Sequence, residues 1–344
     1  MGRILLAATV ILVLAGCGEA ERSEKSGMTD TSETSVEAAI FAREGWKTDF
    51  SRQSAPLTEF QSGGPPKDGI PAIDEPRFVG VDTAEEWLAP KEPVIEVTVN
   101  GETRAYLIQV LIWHEIANDE LGGVPIAVTF CPLCNTSIVF DRRVDGRTLD
   151  FGTTGKLRNS DLVMYDRQTE SWWQQFGGEG LVGRYAGTEL TQLPARIVSW
   201  AEFKREHAAG RVLSRDTGHN RPYGENPYEG YDDVASSPIF PTRNQDDDRL
   251  PPKERVVFLE RQGEAAVIPY STLERRRVIR LVVGGHRFVV RWRPEVASAL
   301  DSAAIAKGRS VGAAEVREDG KLVAFDEPFW FVIAAFRPEA RLIR

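Results

Sequence analysis

The sequence predicts a mainly β protein with short helices (α+β), organised as two degenerate hairpin-helix-strand-hairpin repeats, the first carrying a Cys-x-x-Cys and followed by a long insertion. Three observations predict it. Lys91-Glu92, Gly101-Glu102 and Gly122-Gly123 recur at one constant offset as Lys253-Glu254, Gly263-Glu264 and Gly284-Gly285, and self-similarity at a fixed spacing marks repeated units. Short apolar runs alternate in the manner of strands. Turn residues, among them Asn100-Gly101, Asp145-Gly146 and Asp319-Gly320, separate those runs, and Asn-Gly or Asp-Gly between strands signals a two-residue hairpin.

The first repeat spans 91–151. Val94, Val97 and Val99 form an outgoing strand that turns at Asn100-Gly101, and a helix follows over Gln109 to Glu120, with apolar Val110, Trp113 and Ala117 on one face. Gly122-Gly123 is expected to stop that helix, before a buried strand from Ile126 to Phe130 and the hairpin turn at Asp145-Gly146. The insertion, 152–252, holds strand-like runs from Leu162 to Tyr165 and Ser171 to Phe176, and a helix that Ser199 and Glu202 would cap. It ends in a loop rich in Gly, Pro and Tyr from Asp216 to Asp233. The second repeat, 253–344, repeats the pattern with Val256, Val257 and Leu259, a turn at Gln262-Gly263, Ser271 with Glu274 as a capping box, and a strand from Phe288 to Trp292. Together they make one globular region over 41–344.

Residues 1–17 read as a lipoprotein signal peptide. Arg3 precedes an apolar run from Ile4 to Leu14, and Ala15-Gly16 then lead into Cys17. That run is shorter than the about 20 residues that span a bilayer. Acyl chains on Cys17 would anchor the protein to a membrane, and the expected location is the periplasmic face of a bacterial cell envelope. Residues 18–40 are rich in Ser, Thr, Glu and Gly, which predicts a disordered tether. A net charge of -9 excludes the basic face that a nucleic-acid partner needs.

With Cys17 consumed by the anchor, Cys131 and Cys134 are the remaining thiols. The aligned residues of the second repeat, Arg293 and Val296, are not cysteines. Three chemistries compete: a structural disulfide, thiol-disulfide exchange with a protein partner, and a soft-metal site for Cu or Zn, since two thiolates three positions apart can face one ion. Thioredoxin-like exchange needs a helix N-terminus behind the first thiol, whereas here Asn135-Thr136-Ser137 and Ile138-Val139-Phe140 continue as strand. The missing ligands would come from His114, His207, His219 or His286 or from oxygen donors, with His114 preferred. A second region, Asn159, Ser160, Asp161, Tyr165, Asp166, Trp172, Trp173 and Gln174, could line a pocket for a small ligand or glycan, or serve as turn residues and core. His219 lies in the Asp216–Asp233 loop, which would cover the cysteine site. No GxSxG, HExxH or phosphate-binding glycine loop is present.

The stretches GGPPKDGIPAIDEPRF, WHEIAND, VTFCPLCNTSIVFDR, GKLRNSDLVMYDRQTESWWQQ and SRDTGHNRPYGENPYEGYDD together resemble the domain of unknown function 3179 family, over about residues 60–344. The resemblance implies no activity. It places Trp113, His114, Cys131, Cys134, Asn135, Asn159, Ser160, Asp161, Tyr165, Asp166, Trp172 and Gln174 in the family signature, while Leu107 departs from the proline expected after Tyr106.

Overall fold

The computed structural model describes residues 36–344. The expected signal peptide, Cys17 and most of the expected tether lie outside the described residues. Residues 36–43 are helical, so the last part of the stretch expected as tether is folded.

The strands form five separate sheets of three to five strands, arranged as a five-bladed β-propeller. This corrects the expectation of two hairpin-helix-strand-hairpin repeats divided by an insertion. One blade pairs Ala195–Ser199, Pro93–Val99, Glu102–Leu107, Arg211–Leu213 and Phe78–Gly80, in that order. The next holds Gln192–Leu193, Thr136–Asp141, Val124–Cys131 and Ile116–Leu121. A third is built from Gln61–Ser62, Phe151–Arg158, Asp161–Asp166, Trp172–Gln174 and Gly180–Val182. The last two are Val256–Arg261 with Glu264–Pro269 and Arg341–Leu342, and Val278–Val283 with His286–Arg293, Ala313–Glu318 and Lys321–Leu322.

The stretch expected as an insertion therefore contains most of a blade and returns edge strands to two others. Those returns are long-range pairings, Ala195↔Val97 to Ser199↔Pro93 and the parallel Val212↔Ala105. They cover sheet edges that would otherwise expose unpaired backbone groups. Local periodicity does not encode them.

The hairpin turns follow from backbone chemistry. Asn100-Gly101, Asp145-Gly146, Asn159-Ser160, Gln262-Gly263 and Asp319-Gly320 each place two consecutive residues at positive φ, the geometry that matches the right-handed twist of the flanking strands. Gly122-Gly123 does the same, between Ile116–Leu121 and Val124–Cys131. It is a hairpin turn, not the helix stop that its position suggested.

The helix itself is shorter than expected, Ile108–His114, and ends where Glu115 enters the left-handed region at φ 59°. From Ile116 the chain is strand. The second stretch behaves alike: the helix Tyr270–Arg276 ends at Arg277, φ 63°. Its start is Pro269 without a side-chain cap, so Ser271 and Glu274 do not form the expected box. Ser199 does cap Trp200–Glu206, accepting from the Glu202 N–H.

Most buried side chains belong to one large core spanning several blades. A smaller core fills the last two blades. A third gathers Phe41, Trp46 and Phe60 about Trp172, with ring centroids 5.0–5.2 Å from its indole. Arg196, 6% exposed, ion-pairs with Glu96, Glu202, Glu206 and Glu315 and so joins the blade carrying Pro93–Val99 to the one carrying Ala313–Glu318. No helix among the described residues is long and apolar enough to cross a membrane.

Candidate metal centre

Cys131 is the last residue of the strand Val124–Cys131, and it pairs with Thr136, the first residue of the next strand. Pro132, Leu133, Cys134 and Asn135 close the turn between them. Asn135 sits at φ 58°, a conformation that Asn tolerates better than most side chains. It is held from both ends: its Nδ2 donates to the Glu327 carbonyl at 3.0 Å, and the Arg255 guanidinium donates to its Oδ1 at 2.8 Å. Phe329 N–H donates to the Cys134 carbonyl at 3.0 Å. The turn is thus clamped by the C-terminal part of the chain and does not depend on a disulfide for its shape. Both cysteines are buried free thiols.

The third member arrives from the neighbouring blade. The Asn159-Ser160 turn delivers Asp161, 0% exposed, to the thiols. Cys134 Sγ donates to Asp161 Oδ1 at 2.8 Å, and Cys131 Sγ lies within 4.8 Å of the same carboxylate. Its other oxygen, Oδ2, accepts from Gln174 Nε2 and, at 2.9 Å, from the Phe176 N–H. The ligand atoms of Cys131, Cys134 and Asp161 all lie within 4.8 Å of one another. Thr136 Oγ1 lies 2.9 Å from Cys134 Sγ and donates to Gln175 Oε1, whose amide in turn donates to Thr129. These contacts fix the rotamers around the sulfurs.

Burial dominates the electrostatics. It pushes the Cys134 thiol well above its ordinary value, with the neighbouring thiol and Asp161 adding to the rise, and it raises Cys131 as well. A backbone N–H from Cys134 opposes the rise at Cys131. Asp161 is itself raised by burial, against the hydrogen bonds it accepts. Glu115 is pushed up to about 8 by burial and by Asp161. Asp326 and Glu327, both buried, are raised to about 7 by the same loss of solvation. Several carboxyl groups therefore sit in low dielectric beside two thiols, which is costly for any charged form unless a cation joins them.

A family model described as protein of unknown function (DUF3179) matches residues 67–340. The chain belongs to that family. No curated protein and no solved structure matches it.

In this DUF3179 chain the signature residues separate by role. Gln174 orients Asp161, while the Asn159 side-chain Oδ1 accepts from the Arg243 backbone N–H at 3.0 Å. Ser160 is fully buried at the turn. Asp166 lies away from the sulfurs and binds Thr169 and the Trp173 indole N–H. Trp172 and Trp173 are 0% exposed and fill cores. Tyr165 packs edge-on against Trp46 and donates to Asp68. His219 is exposed and, with Tyr165, Lys67 and Arg167, lines an open hollow.

His114 does not join the sulfur cluster. Its Nδ1 lies 2.7 Å from the Pro71 carbonyl and its Nε2 2.6 Å from the Tyr223 hydroxyl, and burial lowers it to about 4. The ring is a neutral, fully partnered group beside His219, with centroids 5.3 Å apart. The loop 216–233 does reach the cysteines: Tyr231 donates to the Leu133 carbonyl at 2.9 Å.

Sequence reasoning passed over Glu115, Thr136 and Gln175. A signal existed for Glu115, because the residue aligned with it in the second stretch is Arg277, a reversal of charge at one backbone position. A second grouping of potential ligands, Glu96, Glu206 and His207, is already supplied with a cation, because Arg196 bonds both glutamates.

Proposed function

We propose that the protein is a lipid-anchored envelope protein that binds a borderline metal ion, Zn(II) in preference to Cu(I), through Cys131, Cys134 and Asp161. The observation that carries this reading is the convergence of two thiols and one carboxylate within 4.8 Å in a fully buried place. Sulfur donors suit both metals, and the oxygen donor favours Zn(II), since Cu(I) prefers soft ligands throughout. The clamped turn supports the reading too, because the sulfurs are held in position before any ion arrives.

Thiol-disulfide exchange is the weaker reading. It needs an accessible thiolate, and these thiols are 0–1% exposed with raised pKa. A bound cation reverses that balance, since it supplies the charge that two thiolates and a carboxylate need. The protons released are those now shared between the sulfurs and Asp161.

The test is metal analysis of the protein purified from its own envelope, alongside Cys131→Ser and Cys134→Ser. About one zinc per chain in the wild type, lost in both variants, is the expected result. No stoichiometric metal in either redox state would overturn the proposal. A mixed disulfide trapped by Cys134→Ser would assign exchange chemistry instead. Anchoring is tested separately, by loss of acyl labelling in Cys17→Ser.

A further inference from the structure

Glu115 is a buried acid with no evident structural task. It is 7% exposed, and among the described residues its carboxylate forms no hydrogen bond. A largely buried carboxylate that bonds to no protein donor keeps its charged form only at a cost in solvation. Its backbone is fixed beside the sulfurs: the Glu115 carbonyl accepts from Phe130 N–H at 2.8 Å, one residue before Cys131.

The fold does not require an acid there. The second stretch builds the same left-handed helix end, with Trp292 N–H donating to the Arg277 carbonyl at 2.9 Å, and Arg277 is exposed. Left-handed backbone at this point is thus a property of the architecture, whereas a buried carboxylate is a property of this one blade. That blade is the one carrying Cys131 and Cys134.

Three protein donors leave a four-coordinate ion one position short. Resting on the metal reading above, we propose that Glu115 is the fourth protein ligand, so that the centre takes a divalent ion with two sulfur and two carboxylate donors. Its carboxylate stands outside the 4.8 Å set formed by the other three. Closure therefore comes from rotation about the Glu115 side-chain bonds, with the backbone still held by Phe130. Binding then releases the Glu115 proton together with those of the thiols. The Phe176 N–H that Asp161 accepts offsets part of the excess negative charge.

The test titrates full-length protein with Zn(II) against a chromophoric chelator, and with Co(II) followed by its visible absorption, for wild type, Glu115→Gln and Glu115→Asp. Zn(II) affinity should fall in Glu115→Gln by more than the about 10- to 100-fold that outer-shell partners are worth. The Co(II) spectrum should change as one ligand is replaced. The metal-free Glu115→Gln protein should melt no lower than wild type, an outcome that a merely structural role for Glu115 would not give. Glu115→Asp keeps the charge and withdraws the carboxylate by one methylene, so it should weaken binding too; it decides the matter if the Gln variant does not fold. Variants with wild-type affinity and spectrum would overturn this inference alone. A wild type that binds neither ion would overturn the metal reading with it.

Discussion

Asp161→Asn separates a ligand from a structural hydrogen-bonding group. The carboxylate accepts on Oδ2 from Gln174 and Phe176 and on Oδ1 from Cys134. An asparagine can keep its oxygen toward Gln174 and Phe176 and turn its NH2 toward Cys134, whose sulfur accepts weakly. Gln174 and Phe176 then retain their acceptor, the Cys134 thiol gives up a weak one, and a desolvated acid is gone, so metal-free stability should change by no more than about 1 kcal/mol. Metal binding should suffer far more. Structural zinc sites with four ligands are worth about 10–16 kcal/mol, so one ligand accounts for ~3 kcal/mol, or about two orders of magnitude in affinity. Chemical denaturation of the metal-free protein and chelator competition for Zn(II) measure the two quantities. Affinity within threefold of wild type, with stability intact, would refute the assignment of Asp161 as a ligand. A loss of several kcal/mol in the metal-free protein would show instead that Asp161 holds the blades together.

The other expectations concern the scaffold. Arg196→Met should destabilise by about 3–5 kcal/mol, since it leaves Glu96, Glu202 and Glu315 buried without their shared cation; a change below 1 kcal/mol in urea unfolding would contradict it. Gly122→Ala should cost more than Gly123→Ala. Both glycines have positive φ, worth about 1–2 kcal/mol to an L residue, but a Cβ at Gly122 would meet the Val99 carbonyl at 2.3 Å, while one at Gly123 meets nothing. Equal melting temperatures for the two variants would refute the close approach. The pH dependence has a defined sign. Asp326 and Glu327 are raised to about 7 and Glu115 to about 8, so the folded chain holds protons that the unfolded chain has released. Stability of the metal-free protein should accordingly be fullest near the unfolded values and fall as pH rises toward 8. Saturating Zn(II) should flatten or reverse that slope, and Glu327→Gln should reduce it; a melting temperature that climbs from pH 5 to 8 without metal would contradict the reading.

Local chemistry was legible where a few neighbouring residues decide the outcome. Asn100-Gly101 and Asp319-Gly320 are hairpin turns because two residues at positive φ favour Gly, Asn or Asp, and Ser199 caps its helix because Glu202 N–H lies within reach. Gly122-Gly123 was misread, since paired glycines serve a helix end and a tight hairpin equally well. The helix boundary failed for a similar reason: Glu115 entering the left-handed region carries no glycine to announce it.

At the site, the sequence by itself determined that Cys131 and Cys134 stand in a turn between two strands, and it marked Asp161 and Gln174 only as members of a polar cluster. Tertiary structure alone decided that Asp161 crosses from the neighbouring blade to the sulfurs, while His114, nearer in sequence, spends both ring nitrogens on Pro71 and Tyr223. It alone decided the five blades as well, because edge strands such as Ala195–Ser199 and Arg341–Leu342 pair with hairpins far away in the chain. Periodicity records which face of a strand is apolar. It does not record which distant edge that strand will cover.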